Sequence, residues 1–171
     1  MAFDAFIWFE SEAGGTPIPG ETQDLAVAAN NAIQIAGYSW SSENTTSIGS
    51  AGGGAGAGKA KLNPLKFKAG IGKQSPVLFK YLVTGGHFKA AHLSLRSGKN
   101  NPPFWLLDLG IVFVTAVSQT FDAATDLPLE EWTLAYGTAK ETFSPNGPTG
   151  PGSISQGWNQ VTNSENLLIG P

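Results

Sequence analysis

One stretch of the sequence has the spacing of a phosphate-binding loop. Residues 53–59 read GGAGAGK, which fits the G-x-x-x-x-G-K part of that motif. The motif continues with a Ser or Thr that holds magnesium, but here the next residue is Ala60. A helix must also follow, because its N-terminus meets the phosphate, yet Pro64 comes soon after. We therefore interpret this stretch as a low-complexity glycine run and expect no nucleotide cofactor.

The titratable residues do not form an obvious catalytic or metal-binding group. The two histidines, His87 and His92, lie five residues apart in a strand-like run, which predicts opposite faces and no shared metal. The neighbours Glu130 and Glu131 must also point to opposite sides of a strand, so they build no paired-carboxylate site. Asp108 lies among apolar residues, and a buried charge must find a partner. We interpret it as a partnered or lumen-facing acid.

Serine, cysteine and tryptophan offer no stronger signal of chemistry. None of Ser75, Ser94 and Ser97 has the glycine elbow of a nucleophilic serine around it. The absence of cysteine excludes disulfides and thiolate metal sites. We expect no enzymatic activity, no metal and no cofactor. A sugar-stacking face could be formed by the five tryptophans, which leaves a monomeric β-sandwich binding module as an alternative: Trp8, Trp40, Trp105, Trp132 and Trp158. Four of them lie inside predicted strands, where core packing explains them at least as well.

Composition narrows the possible partners. The 171 residues suit one domain, 1–171, with a core of its own. The formal net charge of −3 argues against nucleic acid and anionic membrane as partners. Only 13% of the residues are charged, which is about half the usual share and favours a surface that lies against other protein.

No segment reads as a membrane span or a signal peptide. The N-terminus lacks a basic region, and its apolar stretch is broken by Asp4 and ended by Glu10. The longest apolar run, Phe104 to Val117, is interrupted by Asp108 and is too short to cross a bilayer as a helix. We expect a chain that is made in the cytoplasm and could leave only through a machine that ignores signal peptides.

One short helix is predicted between Ser75 and Gly86. Ser75 is a good N-cap residue and Pro76 suits the first helical position, where no amide hydrogen is needed. Gly85-Gly86 ends the run where a left-handed C-cap is expected. Apolar residues follow at helical spacing between these ends: Val77, Leu78, Tyr81 and Leu82. A helix of about ten residues is too short to be stable alone, so it must dock on a sheet.

The remaining pattern is that of strands and turns. About six or seven strand-like runs and one helix, without α/β alternation, predict a β-barrel or sandwich with a helix on its side. The clearest runs are 3–9, 31–40, 59–69, 88–96, 104–118 and 129–143. Residues 144–171 are rich in Gly and Pro, with Trp158 as an aromatic anchor.

Between two of these runs the periodicity disappears. Residues 41–58 read SSENTTSIGSAGGGAGAG, and Ile48 is their only large apolar residue. A structureless connection of this length is uncommon in a compact domain unless it has a function or is disordered. We expect an extended flexible loop over 42–58 that reaches a neighbouring molecule and becomes ordered there.

Several of these stretches resemble the Hcp family (haemolysin-coregulated protein), the tube proteins of type VI secretion systems. The similar stretches are FDAFI from Phe3, YSW from Tyr38, SPVLFKYL from Ser75, GGHF from Gly85, LSLRSG from Leu93 and GWNQVTN from Gly157. The resemblance spans almost the whole chain and is most specific over Ser75 to Gly98 and Gly157 to Asn163. One departure is Gly72-Lys73-Gln74, where many relatives carry an acidic residue before the Ser-Pro pair.

The resemblance implies a mainly β fold: a compact β-barrel of two antiparallel sheets with one short α-helix on its flank. It further implies hexameric rings that stack into a hollow tube inside a contractile sheath, a spike protein at the tip, effectors carried in the lumen and no enzymatic activity. The helix would be a family marker without chemistry of its own, through Ser75, Pro76, Leu78, Phe79, Tyr81 and Leu82. The residues expected to bridge subunits or successive rings are Ser42, Glu43, Asn44, Thr45, Thr46, Ile48 and Lys59.

A bacteriophage or phage-like tail-tube protein is the main alternative. Such proteins share this fold and the physics of assembly, but they belong to a virion. Only the match over Ser75 to Gly98 favours the secretion family over them.

Overall fold

The computed structural model describes residues 3–47, 56–98, 101–122, 127–145 and 150–167. Within these ranges the chain is mainly β, as predicted, with one α-helix and a short 3-10 helix at Ala28–Asn30. The elements, in chain order, are β1 Asp4–Ser11, β2 Ile33–Gln34, β3 Gly37–Ser39, β4 Ser42–Ser47, β5 Gly56–Leu62, β6 Leu65–Gly70, α1 Gln74–Thr84, β7 His87–Arg96, β8 Trp105–Asp122, β9 Leu127–Phe143 and β10 Ile154–Asn159.

Eight of the strands form one large, curled antiparallel sheet, in the order β2-β1-β7-β8-β9-β6-β3, with β10 also paired to β9. The long strand β9 brings both β6 and β10 into one sheet, because it pairs with β6 over its first part and with β10 over its last part. The sheet curls back on itself at β2 and β3. Between them, the Ile35 amide donates to the Ala5 carbonyl at 3.0 Å and the Ala36 amide donates to the Lys68 carbonyl at 2.7 Å.

This closure corrects one sequence prediction. Residues 31–40 were expected to form a single strand. They form two short strands instead, because Ile35 and Ala36 must leave β1 and cross to β6 at the point where the sheet closes. Two-residue and three-residue strands are too short for periodicity to detect.

The core lies inside the curled sheet. Strand β6 alternates as predicted, with Leu65, Phe67 and Ala69 buried and Lys66 and Lys68 exposed. The same alternation on β9 buries Trp132, Leu134 and Tyr136. Strand β1 is covered on both faces, also as predicted: Ile7 faces the main core, while Phe6 packs with Val27 and Ala32 in a second, smaller cluster.

The helix is where the sequence predicts it, but its start differs. Helix α1 begins at Gln74 with Lys73 at the N-cap, and no side chain caps it. Ser75 is therefore not the N-cap as predicted. Its hydroxyl instead accepts a hydrogen bond from the Gly72 amide at 3.1 Å. At the other end Gly85 adopts the predicted left-handed C-cap conformation, with φ 68°.

The stretch predicted to lack regular structure is partly a β-hairpin. Strands β4 and β5 pair in antiparallel fashion and form a separate two-stranded sheet. The prediction failed over 42–47 and 56–58, because Ser, Thr and Gly carry no apolar alternation even where the backbone is extended. Residues 48–55, and with them Ile48, lie outside the described residues.

The Gly/Pro-rich tail contains a strand that the sequence did not suggest. Strand β10 extends the sheet along the last part of β9, from Ile154 opposite Phe143 to Asn159 opposite Thr138. Of the helices in the described part of the chain, none has the length and apolar character needed to span a bilayer.

Candidate assembly surface

In the described part of the chain, β4 and β5 form a hairpin that is a separate sheet and pairs with no strand of the large sheet. Its strands are held together by backbone pairing and by a surface ion pair between Lys61 Nζ and Glu43 Oε1 at 3.1 Å. The two backbones approach closely at Gly58, where an added Cβ would lie 1.9 Å from the Thr45 carbonyl oxygen. No side chain fits there, so the close approach of the two strands explains why position 58 in the glycine run is a glycine.

The base of the hairpin is fixed to the barrel by a short hydrogen-bond chain. Trp40 Nε1 donates to the Tyr136 hydroxyl at 2.6 Å, and that hydroxyl donates to the Asn63 carbonyl at 2.7 Å. Asn63 in turn is bonded to Ser41 through both its backbone amide and its side chain. Burial raises the pKa of Tyr136 and outweighs the opposing effect of the Trp40 hydrogen bond, so the hydroxyl stays a donor.

Most of the predicted bridging residues are exposed on this hairpin. Ser42, Glu43, Asn44 and Thr45 lie on β4, and Lys59 lies on β5. Thr46 lies within β4, but its side chain is outside the described residues, as is Ile48 entirely. A groove of about 350 Å³ runs between the hairpin and the turn after β10, lined by Glu43, Thr45, Lys59, Ala60, Lys61 and Gln160. The hairpin and the C-terminal turn therefore form one continuous surface.

The predicted marker residues of α1 divide between its two faces. Leu78 and Tyr81 are buried, and Pro76 and Phe79 are exposed, while Leu82 is half-buried against the core. The Tyr81 hydroxyl donates to the Thr16 carbonyl at 3.0 Å, and its ring contacts Phe88 at a centroid distance of 4.0 Å. The outer face of the helix carries two exposed apolar side chains, Phe79 and Val83, which are 53% and 63% exposed.

Glu130 is a residue whose importance the sequence analysis missed. Its side chain is buried, at 1% exposure, and accepts hydrogen bonds from Ser75 Oγ at 2.6 Å, Gln119 Nε2 at 2.9 Å and Trp132 Nε1 at 3.1 Å. Glu131 points the other way, toward Lys68, so the predicted divergence of the two carboxylates is confirmed. The sequence could have indicated that Glu130 is buried, because it shares a face of the strand with the apolar residues Trp132 and Leu134.

The LSLRSG stretch contains a buried ion pair. Arg96 is 2% exposed, and its guanidinium donates through Nη1 to Asp24 Oδ1 at 3.0 Å and through Nη2 to Asp24 Oδ2. The same guanidinium lies 5.1 Å from the ring centroid of Phe6. The hydrogen bond to Asp24 is the main reason why the pKa of Arg96 is raised. Arg96 thereby fixes the segment that carries Asp24 over the outer face of β1.

The GWNQVTN stretch forms a closed turn after β10. Asn159 is fully buried, and its Oδ1 accepts hydrogen bonds from the amides of Val161 and Thr162 at 2.9 and 3.0 Å. Its Nδ2 donates to the Asn166 carbonyl at 3.0 Å. Asn163 has a left-handed backbone with φ 54°, which Asn tolerates better than most residues. Asn159 and Asn163 therefore both have a structural role in this turn.

The histidines share one face of β7, which corrects the prediction that they point apart. Phe88 and Ala91 both lie in the core although they are three residues apart, so the alternation slips by one residue between them. The registers of β7 with β1 and β8 both skip Lys89, and Ile111 on β8 has an unusual positive φ of 52°. No periodicity argument could have detected this irregularity.

Asp108 has the partner that the sequence required. His92 Nδ1 lies 2.6 Å from Asp108 Oδ1, and His92 Nε2 lies 3.2 Å from Glu10 Oε1. His87 contacts a different acid, with Nε2 3.5 Å from Glu12 Oε1. Among the residues that the structure describes, no three His, Asp or Glu side chains cluster so as to hold a metal ion.

Several solved structures are similar to this chain over almost its whole length. Hcp1 from Salmonella typhimurium is 26% identical, with a TM-score of 0.72, over 95% of this chain and 98% of that one. A structure described as a type six secretion system protein is 24% identical, with a TM-score of 0.81, over 95% and 99% of the two chains. A type VI secretion system effector from Yersinia pestis is 21% identical, with a TM-score of 0.67, over 91% and 99%. The latter two, being below 25% identity, show the fold alone.

A comparison with curated protein sequences gives no match. The family described as "Type VI secretion system effector, Hcp" matches residues 6–143, which cover the barrel from β1 to the end of β9. The chain therefore belongs to the Hcp family of type VI secretion proteins.

Proposed function

We propose that this chain is the structural subunit of a type VI secretion inner tube. It assembles into hexameric rings, the rings stack into a hollow tube, and contraction of a surrounding sheath expels the tube behind a spike protein. Its lumen can hold effector proteins. The chain is made in the cytoplasm and leaves the cell with the tube. Its role is structural rather than enzymatic.

The exposed β4–β5 hairpin is the observation that carries this proposal. A two-stranded hairpin without a hydrophobic face is marginally stable in water at best. Among the residues that the structure describes, these strands pair only with each other, and their side chains are largely exposed. A rigid attachment through Tyr136 and Asn63 would serve little purpose if the hairpin contacted nothing beyond its own barrel. It is the expected form of an element that becomes fully ordered against a second copy of the chain.

Exposed apolar side chains lie next to the base of the hairpin. The rings of Tyr38 and Trp40, just before β4, lie 5.8 and 6.5 Å from the ring of Trp105. Trp105 pairs with Phe143, and Phe143 pairs with Ile154. The side chains of Phe143 and Ile154 are 51% and 67% exposed. Head-to-tail assembly requires two different surfaces on each subunit, and the hairpin with these neighbouring apolar side chains supplies one of them.

Within this proposal the hairpin connects successive rings. Replacing Ser42 to Gly58 by a short turn should leave the barrel folded, because none of the hairpin's strand pairing involves the large sheet. It should abolish stacking of rings. Long tubes formed by the shortened variant would contradict this role of the hairpin.

Sedimentation of the purified full chain tests the ring. The expected species has a mass of about 107 kDa, six times the chain mass of 17.8 kDa. A stable monomer at high protein concentration would contradict the proposal and would favour a monomeric binding module. Release of the chain into the culture medium provides a second test: release should depend on an intact sheath, and equal release without a sheath would argue against a tube.

A further inference from the structure

A row of paired side chains crosses the outer face of the large sheet. Trp8 on β1 pairs with His92 on β7, His92 with Asp108 on β8, and Asp108 with Lys140 on β9. The neighbours Leu93 and Leu107 lie in the core, so this row faces away from it. These residues lie outside the proposed assembly surface, and their contacts are complete within a single copy of the chain.

Both ring nitrogens of His92 contact carboxylates on different strands. Nδ1 lies 2.6 Å from Asp108 Oδ1 on β8, and Nε2 lies 3.2 Å from Glu10 Oε1 on β1. A neutral imidazole has one N–H group and can donate to only one of them. Only the imidazolium ion, with two N–H groups, can donate to both. The geometry is therefore that of a protonated histidine.

The surroundings of His92 also favour a positive charge. The indole of Trp8 stacks on the imidazole with a centroid distance of 5.2 Å and an interplanar angle of 21°, an arrangement that attracts a cation. The His92 side chain is 18% exposed, so solvent screens these contacts only in part. Burial on its own lowers the pKa of His92, but the hydrogen bonds and charges of Asp108 and Glu10 outweigh it, and the pKa lies above the ordinary value of 6.5.

Other charged groups near the cluster do not cancel this effect. Lys89 lies on the same strand as His92, and its Nζ is 3.7 Å from Glu10 Oε2. Lys140 on β9 is paired in register with Asp108. Each of these lysines stands beside one of the two carboxylates. The other pair on this face, His87 with Glu12, lies farther along β7. The carboxylates of Glu10 and Asp108 remain the groups that contact the imidazole directly.

We propose that His92 is a pH-sensitive brace that ties β1 to β8 across β7. At acidic to neutral pH the imidazolium holds Glu10 and Asp108 together. When pH rises through the pKa of the folded state, the ring keeps one N–H, one of the two hydrogen bonds is lost, and two carboxylates face a neutral ring. The contribution of His92 to stability is thus complete below about pH 6.5, the pKa of an unfolded-chain histidine, and is lost as pH rises above it.

A histidine titration followed by NMR tests the charge state directly. The chain has only two histidines, so two titration curves are expected, and a His87→Gln variant assigns them. The His92 curve should have its midpoint above pH 6.5, because both ring nitrogens contact carboxylates. A His92 midpoint at or below 6.5 would overturn the proposal. In an Asp108→Asn variant the midpoint should move down, and an unchanged midpoint would also overturn it.

Unfolding in urea at a series of pH values between 5.5 and 9 tests the brace, over roughly the range in which histidine titrates. Compared with wild type, a His92→Gln variant should lose most stability at the acidic end, and the difference should shrink as pH rises. The matched control His87→Gln should show a smaller and flatter difference. A difference between wild type and His92→Gln that is constant with pH, or that grows toward alkaline pH, would contradict the brace.

Discussion

The hydroxyl of Ser75, at the start of α1, donates a hydrogen bond of 2.6 Å to the buried carboxylate of Glu130 on β9. The two residues are 55 positions apart in the chain. Two further neutral donors, from Gln119 and Trp132, complete the shell around this carboxylate. The contact joins α1 to the strand that links the two parts of the curled sheet.

A Ser75→Ala variant should therefore be less stable than wild type. Removing the hydroxyl leaves a buried carboxylate short of one donor, which costs about 1–3 kcal/mol in the free energy of unfolding. Urea denaturation measures this loss. Ser118→Ala is the matched control, because Ser118 is exposed on β8 and its loss should change stability by less than about 0.5 kcal/mol. Equal stability of the two variants would show that the Ser75 contact contributes nothing.

Replacing Arg96 by methionine should be among the most destabilising single changes. The substitution removes the guanidinium that Asp24 contacts in a partly buried pair, and hydrogen bonds to charged groups contribute about 1.5–3 kcal/mol. Lys61→Met removes a cation from the exposed pair with Glu43 and should cost less than about 1 kcal/mol. Thermal or urea unfolding of the two variants compares them. If both lost the same amount, the buried pair would have no special role.

The parts of this fold that the sequence predicts are those governed by apolar periodicity. The strand pattern of Leu65, Phe67 and Ala69, the helix with its Gly85 cap and the two covered faces of β1 all follow from local sequence. The contact of Ser75 with Glu130 does not, because the local alternation places Glu130 on a buried face but says nothing about donors that come from the helix and from β8.

Other features escaped prediction for a different physical reason. The hairpin of β4 and β5 is built from Ser, Thr, Gly and Lys, whose polarity hides the extended backbone. The slip at Lys89 shifts the alternation of β7 by one residue, and this put His87 and His92 on the wrong faces in the sequence analysis. Both features depend on pairing between strands rather than on the residues of one strand.

Tyr136→Phe tests the attachment of the hairpin. The variant keeps the ring in the core but loses the hydroxyl that links Trp40 and Asn63, so we expect a loss of about 1–3 kcal/mol. Amide exchange at Asn63, whose amide donates to Ser41, should become faster. The control Tyr38→Phe removes a hydroxyl from a nearby ring that stacks on Trp105 and should change little. Unchanged exchange at Asn63 in Tyr136→Phe would refute the proposed attachment.

Asn159→Ala tests the C-terminal turn. The change removes the side chain that binds the amides of Val161 and Thr162 and the carbonyl of Asn166. We expect the segment after β10 to become sensitive to limited proteolysis and the stability to fall by about 1–3 kcal/mol. The control Gln156→Ala alters an exposed residue of the same strand and should resist proteolysis like wild type. Equal resistance of both variants would mean that Asn159 does not hold the turn.

Electron microscopy of the purified full chain at high concentration tests the tube assignment most directly. We predict rings with six-fold symmetry and a central hole, which stack into tubes in the wild-type chain and remain single when a short turn replaces Ser42 to Gly58. Particles the size of one 17.8 kDa chain, without rings at any concentration, would contradict the assignment.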